Sequence, residues 1–271
     1  MTDLPPLRDV IAEHDLFAKK GLGQHFLLDL NLTAKIAKLT QADGHDHILE
    51  VGPGPGGLTR ALLETGATVI AIERDRRIMP ILEQLRNAYA GHLSWIEDDA
   101  LKVDETTMQG GTPSIIASNL PYNISTELLV KWLTARPRYW KRLVLMFQRE
   151  VGDRILAPPG SKTFGRLSVL AQATSTPRLG FHLPARAFTP PPKVDSSVLI
   201  FDAAPAKTDN IAALERVTAA AFGQRRKMIR STLKPLFKDR LAEVLDSLDL
   251  TETVRAETLQ VEDFIALANT L

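Results

Sequence analysis

The stretch HILEVGPGPGGLTRALL, residues 47–63, limits the folds open to this chain more than any other. A short apolar run meets Gly52, Gly54, Gly56 and Gly57, and a helical pattern opens near Leu58. Glycines there permit a tight turn with positive φ and let a ligand come close to the backbone. The same alternation fills the first two hundred residues. Strands are expected at 47–52, 68–73, 93–97, 114–119, 142–147 and 196–202, and helices at 31–40, 57–65, 76–89, 125–134, 149–156 and 165–173. Near-continuous apolar strands separated by helices predict a mostly parallel sheet covered on both faces, the doubly wound α/β class. After FDAAPAKTDN the strands stop. Helices are expected at 210–222, 225–237, 239–247 and 260–269. The chain is therefore read as an α/β domain over residues 1–204 and a small all-helical domain over 205–271.

The glycine turn alone fits a nicotinamide, flavin or S-adenosylmethionine site. Glu73 ends the second strand, 21 residues after Gly52. A carboxylate there can accept from both ribose hydroxyls of a nucleoside. Asp98-Asp99-Ala100 ends the third strand, where an acid can accept from an adenine amino group. All three features fall at the carboxyl ends of strands, where open α/β sheets bind ligands. Together they point to a nucleoside-containing ligand.

The fourth strand discriminates among these ligands. A dehydrogenase needs an acid/base His, Tyr or Lys at the hydride site, but this strand delivers Asn119-Leu120-Pro121-Tyr122. An adenine amino group is a poor nucleophile because its lone pair is delocalised into the ring. Two acceptors gripping its N–H groups can turn that lone pair toward an electrophile. The Asn119 side-chain oxygen is one candidate. The Leu120 carbonyl, aimed by the rigid Pro121, is the other. Tyr122 can stack on the base, a contact typically worth about 1–3 kcal/mol. No strong general base is needed, so positioning and electrostatics would carry catalysis. The simpler structural reading is a strand-to-helix turn with Ser125 or Thr126 as helix cap.

The sequence also excludes some function classes. There is no cysteine, which removes disulfides and Cys-ligated zinc or iron–sulfur clusters. The six histidines form no H-E-x-x-H pattern, so no metal is expected. The N-terminus has no apolar signal core and no run approaches membrane-spanning length, which points to a cytoplasmic protein. Net charge is only +1, yet the basic residues are unevenly placed. Residues 154–194 hold six bases and no acid, and residues 224–240 hold seven bases and one acid, Asp239. Such patches can bind nucleic acid on a near-neutral protein.

The motifs KKGLGQHFLLD (19–29), LEVGPGPGGLT (49–59), VIAIERD (69–75), DDAL (98–101), NLPYNIS (119–125), FGRLSVLAQ (164–172), FTPPPKVDSSV (188–198) and FGQRRKMIRSTL (222–233) span most of the chain. In this order they resemble the KsgA family of small-subunit ribosomal RNA adenine dimethyltransferases. The resemblance implies a Rossmann-like S-adenosylmethionine-dependent methyltransferase domain with an antiparallel last strand, followed by a small helical domain. It implies transfer of two methyls to N6 of each of two adjacent adenosines in a hairpin loop near the 3′ end of 16S rRNA, in a pre-ribosomal small subunit. It places His25, Leu27, Gly52, Gly54, Glu73, Asp99 and Asn119 on the cofactor. Asn119, Leu120, Pro121 and Tyr122 would hold the target amine. Phe188 would lie near the base opposite Tyr122, and Lys193, Arg225, Arg226, Lys227 and Arg230 would meet RNA phosphates. Position 25 departs from the family's usual G-Q-N-F-L, since this chain has His25. Nothing suggests an obligate dimer, so a monomer is expected. The motifs leave three alternatives: a large-subunit RNA adenine methyltransferase, a non-catalytic ribosome assembly factor on the same fold, and, more distantly, a nicotinamide dehydrogenase.

Overall fold

The computed structural model describes residues 4–17, 24–108, 112–205, 207–208 and 210–271. Residues 19–23 of the first motif lie outside this set. The chain opens with α1 (Leu7–Glu13), β1 (Phe26–Leu27) and α2 (Leu30–Thr40). It continues through β2 (His47–Val51), α3 (Gly57–Leu63), β3 (Thr68–Glu73), α4 (Met79–Ala88), β4 (Leu93–Glu97), β5 (Ile115–Ser118) and α5 (Ser125–Thr134). Next come β6 (Arg142–Gln148), α6 (Arg149–Ile155), α7 (Arg166–Thr174), β7 (Ser175–Leu183), β8 (Phe188–Thr189) and β9 (Ser196–Ala203). The last elements are α8 (Ile211–Gly223), α9 (Ile229–Thr232), α10 (Lys234–Phe237), α11 (Leu241–Ser247) and α12 (Val261–Asn269).

Seven strands form one sheet in the order β4-β3-β2-β5-β6-β9-β7. The strands from β4 to β6 run parallel, and β9 pairs antiparallel with β6. The central strands are uniformly apolar because both faces are covered: Ile48, Leu49, Val69, Ile70, Ile115, Ile116, Val144 and Leu145 are all buried. On one face α2 and α3 lie side by side, α2 packing against β5 and β6, α3 against β3. Asp29 caps α2 by accepting from the backbone N–H of Asn31 and Leu32. A separate two-stranded ribbon pairs β1 with β8, aligning Leu27 with Phe188.

Contacts divide the chain into two compact units. The first covers residues 1–131, 135–149 and 179–202; the second covers 132–134, 150–178 and 203–271. The break at 202/203 falls beside the expected boundary near 204, but residues 150–178 also belong to the second unit. Within that unit α8 packs on α7 and α12, around Phe164, Phe222 and Phe264. The Phe222 and Phe264 rings stack with centroids 5.4 Å apart.

Two local expectations are corrected. The single helix expected at 225–237 is a turn at 224–227 followed by α9 and α10. Pro235, with no N–H to give, sits in the first turn of α10 and restarts the helix there. The cap expected from Ser125 or Thr126 is absent: Ile124 occupies the N-cap of α5, without a side-chain cap bond. Ser125 is buried and donates its hydroxyl back to the Tyr122 carbonyl at 3.1 Å.

Candidate active site

The chain runs from β2 outward to β3 and β4, then returns to place β5 on the other side of β2. That reversal opens a crevice at the carboxyl ends of β2 and β5. The two strands are locked there by Ser118 Oγ, which donates to the Val51 carbonyl at 2.6 Å. The turn after β2 needs its glycines: Gly52 has φ +70° and Gly54 +53°. A side chain on Gly54 would also press on the Phe26 ring at 3.3 Å.

One cleft is lined by His25, Leu27, Gly52, Gly54, Glu73, Asp99, Asn119, Leu120, Pro121 and Tyr122. The structure thus brings together every residue expected at the cofactor and at the target amine. Glu73 ends β3 with its carboxylate anchored, Oε1 accepting from the N–H of Arg74 at 2.8 Å and of Asp75 at 2.7 Å. Burial pushes its carboxyl up, while the N–H groups of Asp75, Arg74 and Gly54 pull it down and the Asp75 carboxylate adds to the rise. Asp99 accepts from Leu101 N at 3.1 Å, which fixes its carboxylate at the start of the loop after β4. The exposed Arg74 lies 3.6 Å from it.

The Asn-Leu-Pro-Tyr turn is held from three sides. Asn119 Nδ2 donates to the His25 carbonyl at 3.0 Å, so Oδ1 is the end left to accept. The Tyr122 hydroxyl lies 2.6 Å from Ser196 Oγ, at the buried start of β9. The His25 ring stacks on Tyr122 with centroids 5.6 Å apart, and its Nδ1 lies 2.8 Å from the Pro190 carbonyl. Burial pushes the Tyr122 phenol up, which keeps it neutral. His25 therefore spends its side chain on Tyr122 and the proline loop, and its backbone carbonyl on Asn119.

Other expected residues are placed differently. Phe188 is buried among the core side chains and does not line the cleft. Lys193, Arg226 and Lys227 are exposed. Arg225 donates to the carbonyls of Lys162 at 2.9 Å and Phe164 at 2.6 Å, and Arg230 pairs with Glu252 at 3.1 Å. Sequence reasoning missed Glu50 and Gln24, which also line the cleft, and Ser196, which anchors Tyr122. An acid inside the apolar run HILEV is a signal that could have revealed Glu50. Among the described residues no group of three or more His, Cys, Asp or Glu side chains could hold a metal ion. No helix among them is long and apolar enough to cross a membrane.

The ribosomal RNA adenine dimethylase family model matches residues 16–271. The chain belongs to the ribosomal RNA adenine dimethylase family. The ribosomal RNA small subunit methyltransferase A of Phenylobacterium zucineum is 53% identical over 98% of this chain and 92% of its own length. A dimethyladenosine transferase from Plasmodium falciparum has a similar structure, with TM-score 0.78 and 26% identity over 90% of this chain and 96% of its own. The 23S rRNA methyltransferase ErmE shares the fold, with TM-score 0.66 and 23% identity over 91% of this chain and 99% of its own. The family is one of S-adenosylmethionine-dependent methyltransferases. The cleft fits that cofactor: a strand-end carboxylate held for diol acceptance, an acid at the next strand end, and a positive-φ glycine turn that keeps side chains out of the way.

Proposed function

We propose that this dimethylase transfers two methyls from S-adenosylmethionine to N6 of each of two adjacent adenosines, in a hairpin loop near the 3′ end of 16S rRNA. In this reading it acts as a monomer on a pre-ribosomal small subunit in the cytoplasm. The observation that carries the chemistry is the Asn119 amide, whose nitrogen is occupied by the His25 carbonyl while its oxygen remains to accept. That oxygen and the Leu120 carbonyl grip the two amine hydrogens and aim the lone pair. Tyr122, tethered to Ser196 and backed by His25, carries the base on its ring. Glu73 takes the cofactor ribose and Asp99 its adenine amino group, with His25, Leu27, Gly52 and Gly54 completing the wall. The cofactor supplies an electrophilic methyl on its sulfonium; the protein supplies position. The methylated amine sheds its proton readily, so this reading needs no strong base.

The small-subunit assignment is supported by the 53% identity to a protein named for the small subunit. Mass mapping of modified adenosines after incubating isolated small and large subunits with the protein and S-adenosylmethionine tests it. Two adjacent dimethyladenosines near the 3′ end of 16S rRNA are expected. Modification confined to the large subunit would overturn the reading.

A further inference from the structure

Asp75 does not line the cleft, yet Glu73 and Gln24, which do, are both bonded to it. It lies in the turn after β3 and is buried. Its backbone N–H donates to Glu73 Oε1 at 2.7 Å. Its carboxylate makes a second set of bonds. Gln24 Nε2 donates to Oδ2 at 3.2 Å. Arg77 donates from Nη2 to Oδ2 at 2.5 Å and from Nε to Oδ1 at 3.0 Å, a two-pronged ion pair. The same guanidinium reaches with Nη1 to the Phe17 carbonyl at 3.2 Å. A buried carboxylate satisfied from several sides is held rigidly. Gln24 is one peptide unit from His25, whose carbonyl accepts from Asn119 Nδ2 at 3.0 Å. On the other side of His25, Phe26 and Leu27 are paired with β8. The planar peptide leaves little slack between these two anchors. A continuous path therefore runs from Asp75 through Gln24 and the His25 carbonyl to Asn119.

We propose that Asp75 is a positioning residue for methyl transfer. Its N–H sets Glu73, which takes the cofactor ribose. Its carboxylate, acting through Gln24 and the His25 carbonyl, sets the Asn119 oxygen that grips the target amine. One buried residue behind the wall thereby holds the cofactor end and the amine end of the cleft in a fixed relation. The inference rests on the amine grip proposed above.

Asp75→Asn keeps the N–H to Glu73 but replaces one carboxylate oxygen by an NH2 group, which offers nothing to the donors of Gln24 and Arg77. Gln24→Leu cuts the path one step later and leaves the Asp75–Arg77 pair in place. With the full chain acting on isolated small subunits, each variant should lower kcat about tenfold, because small misplacements of reacting groups are costly. In Asp75→Asn the calorimetric Kd for S-adenosylmethionine should stay within about twofold, since Glu73 keeps its N–H partners. The double variant should be no slower than the slower single one, because both changes break one path. Losses that multiply in the double variant would overturn the inference. So would a parallel loss of cofactor affinity and turnover in Asp75→Asn, which would reduce Asp75 to a support of the β3 turn. A readout independent of activity is the Asn119 side-chain amide resonance in heteronuclear NMR spectra, assigned by its absence in Asn119→Ala. It should shift in both single variants. An unmoved resonance in Gln24→Leu would overturn the inference, and that variant decides the matter if Asp75→Asn does not fold. Absence of adenosine methylation by the wild type would instead remove the functional reading, and this inference with it.

Discussion

Asn119 can act as proposed only with its amide turned one way, and a backbone carbonyl does the turning. The His25 carbonyl accepts from Nδ2, so Oδ1 faces the remaining space with no choice of flip. Removing the amide takes away that oxygen and the bond to the His25 carbonyl, while the Tyr122–Ser196 contact remains. Asn119→Ala is expected to lower methyl transfer at least about a hundredfold, the scale for loss of a preorganised polar group. Small-subunit affinity, measured by filter binding, should stay within about twofold. Unchanged turnover would refute the amine grip. At this scale the sequence revealed the right residues without their bonds. NLPY and His25 were each legible as motif positions, but the contact joining residues 25 and 119 depends on the folded register. The burial of Phe188 was illegible for the same reason. Its motif position looks like a base contact, and in the fold it pairs with Leu27 and is buried in the core cluster.

At the scale of elements, α5 does more than follow the NLPY turn. Lys131 donates from Nζ to the carbonyls of Ala100 at 2.9 Å and Val103 at 2.5 Å, and to Glu105 Oε1 at 2.8 Å. One ammonium thereby organises the loop that begins with Asp98 and Asp99. Lys131→Met keeps the stem and removes all three bonds, leaving the buried Glu105 carboxylate without this cation. Cofactor affinity should fall about five- to tenfold by equilibrium titration, while small-subunit affinity holds. Equal loss of both would mean that Lys131 serves only general stability. Strand β7 shows how an element escapes sequence reading. Its STPRLGFHL carries Pro177 and Gly180, both strand breakers in the interior of a sheet. It lies at the edge of the seven-stranded order, where a missing N–H costs little. At Gly180 a Cβ would lie 2.9 Å from the Leu39 side chain and 3.1 Å from the Val198 carbonyl, a tight fit.

For the molecule as a whole, a net charge of +1 leaves RNA affinity to local patches. The cluster at 225–230 is not uniform. Arg225, Arg226 and Lys227 are all exposed, and Arg225 also holds the carbonyls of Lys162 and Phe164. Replacing Arg226 and Lys227 together by alanine should weaken small-subunit binding and reduce the slope of log affinity against log salt by about 2, with Tm unchanged. Arg225→Ala should instead destabilise the protein by about 1–2 kcal/mol in denaturant unfolding. An unchanged salt slope in the double variant would take the patch out of phosphate contact.

The sequence by itself determined the fold class and most of the cleft. Apolar period, glycine spacing and strand-end acids are local signals, and in a doubly wound sheet strand ends converge at the crossover whatever the details. Only the tertiary structure decided which end of the Asn119 amide is free, which arginine is committed to carbonyls, and which aromatic is buried. It also decided that the acid two residues before the glycine turn, Glu50, is buried on the cleft wall. Those outcomes depend on contacts between residues far apart in the chain, such as 25 with 119, 122 with 196, and 131 with 105. No local pattern encodes a distance across the fold.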